Sequence, residues 1–187
     1  MNGDLAIKSM LFADVVGFSK LPDGSYGRFM ELFSAGAATI LSEHGAQVPN
    51  TWGDALFATF QSEAAAALAA LALQQWVHAT PWHRRLGQSR EKVKIRLRIG
   101  LHAGPVHESY DAILQRETFM GRHTNLAARL EPIAEEGQIF VSGEFAALAT
   151  VSGGGQFQFD YVGQKTLPKA AGVIPVYRLT KKPGCSV

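Results

Sequence analysis

Leu11-Phe12-Ala13-Asp14-Val15-Val16-Gly17-Phe18-Ser19 and Asn50-Thr51-Trp52-Gly53-Asp54-Ala55-Leu56-Phe57 are the two stretches on which the reading of this chain turns. Each sets one carboxylate, Asp14 or Asp54, beside a glycine at the edge of an apolar run. Runs of this kind, rich in Val, Leu and Phe, read as buried strands. A carboxylate at a strand edge packs poorly. Two of them together make a good ligand pair for a divalent cation, since Mg²⁺ is held by one or two carboxylates plus substrate phosphates. A single Asp-Gly step reads equally well as a turn, so the rest of the chain has to decide.

Working outward, residues 7–16 are expected to form the first strand and residues 26–44 a helix, with Phe29, Leu32, Phe33, Ala37, Ile40 and Leu41 on one side. Gly45 is placed to end that helix. Residues 46–49 and 55–60 read as the strands of a hairpin whose tip holds residues 50–54. A second helix covers about 62–78, with Ser62 as a cap and Pro81 beyond its end. Residues 93–102 alternate as a strand with one charged face carrying Lys94, Arg96 and Arg98. Residues 104–118 read as a strand edge followed by a flexible excursion, with a mobile arm over 108–116. A helix over 123–131, a strand over 138–142, a short helix over 142–150 and paired closing strands over 157–162 and 173–179 complete the chain. The order matches an α+β fold: a ferredoxin-like βαββαβ core with appended αβ elements.

The bulk numbers suit a single domain spanning 1–187, with a core over about 8–179. Of 187 residues, 47% are hydrophobic and 18% charged, and the formal net charge is +2, which offers no electrostatic case for nucleic acid. The single cysteine, Cys185, has no partner in the chain and suits a reducing compartment. No basic start followed by a long apolar stretch marks a secretory signal. The longest apolar run, residues 64–73, is far short of the roughly 20 residues a bilayer needs. The expectation is a cytoplasmic protein with no membrane association. The six histidines have no metal-ligand spacing; His102 reads as core or interface, and Trp76 and Trp82 as packing residues.

Five pieces stand in order: Phe12-Ala13-Asp14-Val15-Val16-Gly17-Phe18-Ser19, Trp52-Gly53-Asp54, Arg98-Ile99-Gly100-Leu101-His102-Ala103-Gly104, Asn125-Leu126-Ala127-Ala128-Arg129-Leu130-Glu131, and Gly137-Gln138-Ile139-Phe140-Val141-Ser142. Over about residues 8–179 this resembles the catalytic domain of class III nucleotidyl cyclases. The resemblance implies that a nucleoside triphosphate closes on itself, its 3′-oxygen attacking the α-phosphate as pyrophosphate leaves, by positioning and charge neutralisation. It implies two divalent cations per site, Mn²⁺ or Mg²⁺, held by Asp14, Asp54 and the carbonyl of Val15. Arg98 matches the family's phosphate-contacting arginine, Asn125 its ribose-orienting asparagine, and Arg129 the arginine that neutralises charge at the α-phosphate. Asn125 and Arg129 are four apart, about one helical turn. Lys169, or else Lys165, matches the lysine on the terminal phosphates, although the glycine usual after it is Ala170 here. Because the family divides these residues between two subunits and one chain carries both sets, the resemblance implies a head-to-tail homodimer with two sites.

The base-reading positions are Asn50 and Thr118, where adenylate cyclases of the family carry lysine with aspartate or threonine, and guanylate cyclases glutamate and cysteine. An amide both donates and accepts, so Asn50 can meet either uracil or cytosine. Trp52 stands where a smaller aliphatic residue usually lines the base pocket; it reads either as a wall favouring a one-ring base or as dimer-core packing. The combination is similar to compact bacterial pyrimidine cyclases, which make cyclic UMP or cyclic CMP in antiphage defence for a separate effector. UTP is the expected substrate, with CTP next. An adenylate cyclase with atypical base readers and a catalytically dead nucleotide sensor are the alternatives.

Overall fold

The computed structural model describes residues 5–89, 93–113, 115–153 and 155–184; Cys185 lies outside the described residues. The elements are β1 (Leu5–Val16), α1 (Tyr26–Glu43), β2 (Gln47–Trp52), β3 (Ala55–Phe60), α2 (Glu63–Ala79), α3 (Trp82–Arg85), β4 (Arg96–Asp111), β5 (Arg116–Met120), α4 (Arg122–Leu130), β6 (Ile139–Ser142), α5 (Gly143–Ser152), β7 (Phe157–Thr166) and β8 (Val173–Lys181). Among the described residues the strands form one eight-stranded sheet in the order β2-β3-β1-β4-β6-β8-β7, with β5 paired to β4. The β2-β3-β1-β4 half has the strand order of a βαββαβ core, as the element pattern predicts.

Alternation along the strands divides the sheet into two unlike faces. Leu11, Ala13 and Val15 of β1, with Leu97, Ile99, Leu101 and Ala103 of β4, join a large core beneath α1, α2 and α5. Helix α1 meets it with Phe29, Phe33, Ala37 and Leu41, one residue per turn. Helix α2 is bounded as its sequence suggests: Ser62 Oγ accepts the Ala65 N–H at 3.3 Å. The reverse face carries Met10, Phe57, Val106, Phe119 and Ala127 in a small second cluster, and α4 is the helix that lies on it.

Three segments differ from expectation. Strand β2 runs to Trp52, so only Gly53 and Asp54 form the hairpin tip, with Gly53 at φ 63°. The pairing is strong enough to extend because Asn50, Thr51 and Trp52 stand opposite Phe57, Leu56 and Ala55. The expected excursion over 104–118 is a hairpin, β4 pairing with β5 from His107 opposite Met120 to Asp111 opposite Arg116. Strand β7 continues to Thr166, beyond a register shift between Tyr161 and Gly163.

Helices α1 and α2 approach closely at Gly36, where a Cβ would overlap the Trp76 indole. Trp76 cannot yield, because it lies 5.8 Å from Phe33 and 5.5 Å from Trp82 between ring centroids. Gly36→Ala should therefore destabilise the fold by about 1–3 kcal/mol, read as a Tm lower by roughly 3–10 °C. An unchanged melt would contradict this account of the α1–α2 contact.

Candidate active site

Asp14, Arg98 and Asp54 come together because of strand register. Asp14 on β1 stands opposite Arg98 on β4, and Arg98 Nη2 donates to Asp14 Oδ2 at 2.6 Å. The β1–β3 ladder places Ala13 opposite Leu56, so Asp14 and Asp54 emerge at the same end of neighbouring strands. Past Ala13, β1 continues to pair with β4 as far as Val16 but has no ladder partner on the β3 side. Val15 itself is buried, its side chain in the helix-side core.

Glu131 joins this group without having been assigned a role from sequence. It follows α4 directly, and its Oε1 lies 3.0 Å from Arg98 Nε, although neither atom is aligned for a directed hydrogen bond with any described partner. Gly100 makes the approach possible: a Cβ there would stand 2.5 Å from the Glu131 backbone nitrogen. That was the available signal, since a glycine inside a strand marks close approach of another backbone.

The electrostatics follow from partial burial of like charges. Burial pushes the Glu131 carboxyl up to about 7, the pull of Arg98 being opposed by the nearby charges of Asp14 and Asp54. Asp54 is also raised, first by burial and then by Asp14, against its own backbone N–H and Arg98. Burial works against the charge on Arg98 but is outweighed by its hydrogen bond to Asp14 and the charge of Glu131, so the guanidinium is held more firmly protonated.

Asp14 and Asp54, at the same end of neighbouring strands, are hard oxygen donors of the kind a divalent cation takes. Among the described residues no cluster of three or more His, Cys, Asp or Glu side chains has the geometry of a complete metal cage. The two carboxylates of Asp14 and Asp54 suit ions that take their remaining ligands from water and phosphate.

The positions expected to read the base also come together. Asn50, Trp52 and Thr118 line one cavity of about 220 Å³, with Arg116 and Phe119 beside them. The register of β2 slips between Gln47 and Asn50, and Val48 takes φ 47°, a costly conformation for a β-branched residue that marks a bulge aiming the strand end. Asn50 Oδ1 accepts the Thr51 N–H at 2.9 Å, which leaves the amide NH₂ to donate. Trp52 is 58% exposed and layers on Phe57 and Phe12 at 6.2 and 6.5 Å.

Asn125 and Arg129 stand apart from this group. Helix α4 turns Ala127 and Leu130 into the sheet. At 3.6 residues per turn, positions 125 and 129 fall on its opposite side. Among the described residues neither side chain hydrogen-bonds to Asp14 or Asp54. Lys169 sits exposed in the β7–β8 turn at φ 57°, followed by Ala170 at φ 55°. Ala170 thus holds the left-handed conformation that the family's glycine would adopt without strain.

Residues 6–181 match the family described as adenylate and guanylate cyclase catalytic domain. The chain belongs to that family. Among solved structures, the cyclase domain is similar to the adenylyl cyclase CyaB from P. aeruginosa, with TM-score 0.87 and 18% identity over 100% of both chains. It is also similar to the guanylate cyclase domain of RhGC from Catenaria anguillulae in complex with GTP, with TM-score 0.79 and 18% identity over 96% of this chain and 99% of that one. Those likenesses establish the mixed α+β cyclase fold. The receptor-type adenylate cyclase GRESAG 4.3 of Trypanosoma brucei brucei is 32% identical over 92 residues, which is 48% of this chain and 7% of that protein. The chain thus matches less than a tenth of that relative's length. Among the described residues no helix of the cyclase domain is long and apolar enough to cross a membrane.

The raised carboxyl of Glu131 has a consequence for stability. The folded state holds a proton there between the ordinary value of 4.5 and about 7, so it binds more protons than the unfolded chain in that window. The favourable contribution is complete below the lower value and is lost as pH rises through the upper one. In metal-free protein, the Tm of Glu131→Gln should gain steadily on wild type from pH 4.5 to 7.5. Parallel Tm–pH curves would show that Glu131 has an ordinary acidity.

Proposed function

We propose that the domain is a metal-dependent nucleotidyl cyclase that converts a pyrimidine nucleoside triphosphate, UTP before CTP, to the 3′,5′-cyclic monophosphate and pyrophosphate. The observation that carries the cyclase reading is the convergence of Asp14, Asp54 and Arg98 at one end of the sheet, made by the β1–β4 and β1–β3 registers. The cations implied by the family would be held by Asp14, Asp54 and the Val15 carbonyl, and would supply charge neutralisation at the attacking and departing oxygens. Arg98 offers its guanidinium to the triphosphate, exchanging part of its contact with Asp14 and Glu131 for phosphate oxygens. Asn125 orients the ribose, Arg129 meets the charge that grows at the α-phosphate, and Lys169 grips the terminal phosphates.

Asn125 and Arg129 face away from their own sheet, which supports a head-to-tail, two-fold homodimer in which each protomer completes the other's site. The pyrimidine reading rests on the cavity at Asn50, Trp52 and Thr118. The Trp52 indole, beside Asn50 and Thr118 in that cavity, leaves less room for a two-ring base than a smaller aliphatic residue would. The free Asn50 NH₂ suits a carbonyl of uracil or the ring nitrogen of cytosine alike. Thr118 is compatible with an adenylate cyclase, which is the competing reading; the dead-sensor reading is disfavoured by the presence of Asp14, Asp54, Asn125 and Arg129 together. By its likeness to compact bacterial pyrimidine cyclases, the product is assigned to a cytoplasmic antiphage signal read by a separate effector.

Purified protein incubated with each of the four triphosphates and Mn²⁺, with products identified by mass, should turn over UTP fastest and CTP next. Turnover of ATP alone would replace the pyrimidine reading with the adenylate one. Trp52→Ala should raise the ATP-to-UTP ratio by roughly tenfold, the scale of a pocket contact of one or two methylenes. Asp14→Ala and Arg129→Ala should each lose at least about 10²-fold in kcat. Mixed in equal amounts they should regain about a quarter of wild-type turnover, because half of the dimers then carry one intact site. No recovery on mixing would argue that both residue sets act within one protomer.

A further inference from the structure

We propose that His102 and His123 are positioning residues: their mutual hydrogen bond fixes where α4 lies on the sheet and so where Asn125 and Arg129 point. This rests on the cyclase reading above for its consequence in turnover, and on geometry alone for the placement of the helix.

His102 is 1% exposed and lies on β4 between two glycines that both bring α4 close. A Cβ on Gly104 would overlap the His123 imidazole at the start of the helix, and one on Gly100 would strike the backbone at its end. Between these two contacts, His102 Nε2 and His123 Nδ1 lie 2.8 Å apart, one donating and the other accepting according to tautomer. The two rings are nearly coplanar, 6° between planes. On its other side, His102 Nδ1 is 2.7 Å from Ser142 Oγ, and that oxygen accepts the Phe145 N–H at 3.2 Å as the cap of α5. A continuous hydrogen-bonded line therefore runs from the first turn of α5, across β4, to the second residue of α4.

His102 is the neutral member of this line. Burial drives ionisation of His102 down to about 4, the attraction of Glu144 opposing this and the neighbouring His123 adding to it. One proton per link satisfies it in either direction: the Ser142 hydroxyl donates to His102, which donates to His123, or each donates the opposite way.

The helix needs such a link. It has only nine residues, short enough to be marginal by itself. Its buried apolar anchors are Ala127 and Leu130. Apolar burial is non-directional and sets distance more firmly than rotation, whereas a hydrogen bond at 2.8 Å prefers a near-linear approach. His123 is on the sheet-facing side with Ala127 and Leu130, while Asn125 and Arg129 project the other way. Rotation of α4 about its axis thus moves those two side chains directly.

The test compares wild type with His123→Ala and His123→Asn, the asparagine amide replacing the Nδ1 group. With the triphosphate that wild type turns over, His123→Ala should lose on the order of 10–10² in kcat, the scale of a misplacement near 1 Å, with KM changed by less than about threefold. His123→Asn should recover to within about threefold of wild-type kcat. Amide hydrogen exchange over residues 121–131 should rise roughly tenfold in the alanine variant and return toward wild type in the asparagine variant, with exchange in α1 and α2 unchanged. Unchanged kcat in His123→Ala, or equal losses in both variants, overturns the proposal. If wild type converts no triphosphate with any cation, the cyclase reading fails and exchange alone decides; equal protection of α4 in wild type and His123→Ala then overturns the placement role.

Discussion

Strand β1 lies against β4 so that Asp14 stands opposite Arg98, and the guanidinium donates across the ladder at 2.6 Å. A cross-strand pair of this kind is set by register, and a slip by one residue would turn Asp14 into the helix-side core and bring Val15 out. The deep apolar alternation of both strands prevents that slip, because Leu11, Ala13, Val15, Leu97, Ile99 and Leu101 all bury on one side together. The polar residues on the reverse face are therefore held in place by the apolar residues on the other. Arg98 is then able to hold a second carboxylate, Glu131, which comes from a helix rather than from the sheet.

That arrangement keeps like charges close together. The two carboxyls with resolved shifts are both pushed upward first by burial, Asp54 then by the charge of Asp14 and Glu131 by the charges of Asp14 and Asp54, with Arg98 opposing in each case. Such a group is strained electrostatically in the absence of further positive charge. An excess of negative charge at a partly buried site favours a hard cation and opposes a polyphosphate until such a cation is bound.

Helix α4 meets the sheet at both of its ends. Its end delivers Glu131 to Arg98 over Gly100, its start is tied to the sheet through His123 and His102, and its outer side presents Asn125 and Arg129. The two glycines of β4 are spaced to admit both ends of this one short helix. The cavity lined by Asn50, Trp52 and Thr118 depends on a different device, the register shift in β2 at which Val48 takes φ 47°.

The strand-edge placement of Asp14 and Asp54, the helices over 26–44 and 62–78, and the βαββαβ order were legible in the sequence because each is a short-range pattern. Strict alternation buries one side of a strand, and a one-per-turn apolar row buries one side of a helix. The extension of β2 through Trp52 and the β4–β5 hairpin were not legible, since pairing at a strand end is decided by the partner strand rather than by the residues themselves. Asn50, Trp52 and Thr118 could be grouped by resemblance, yet only the pairing of β2 and β5 into one sheet and the Val48 irregularity bring them around one cavity. Glu131 and His123 had no pattern of their own: their roles arise where Gly100 and Gly104 let a helix backbone reach the strand. Local periodicity thus determined the elements and their buried sides, and tertiary packing decided which polar groups touch, because those contacts join residues far apart in the chain through space that side chains elsewhere leave open.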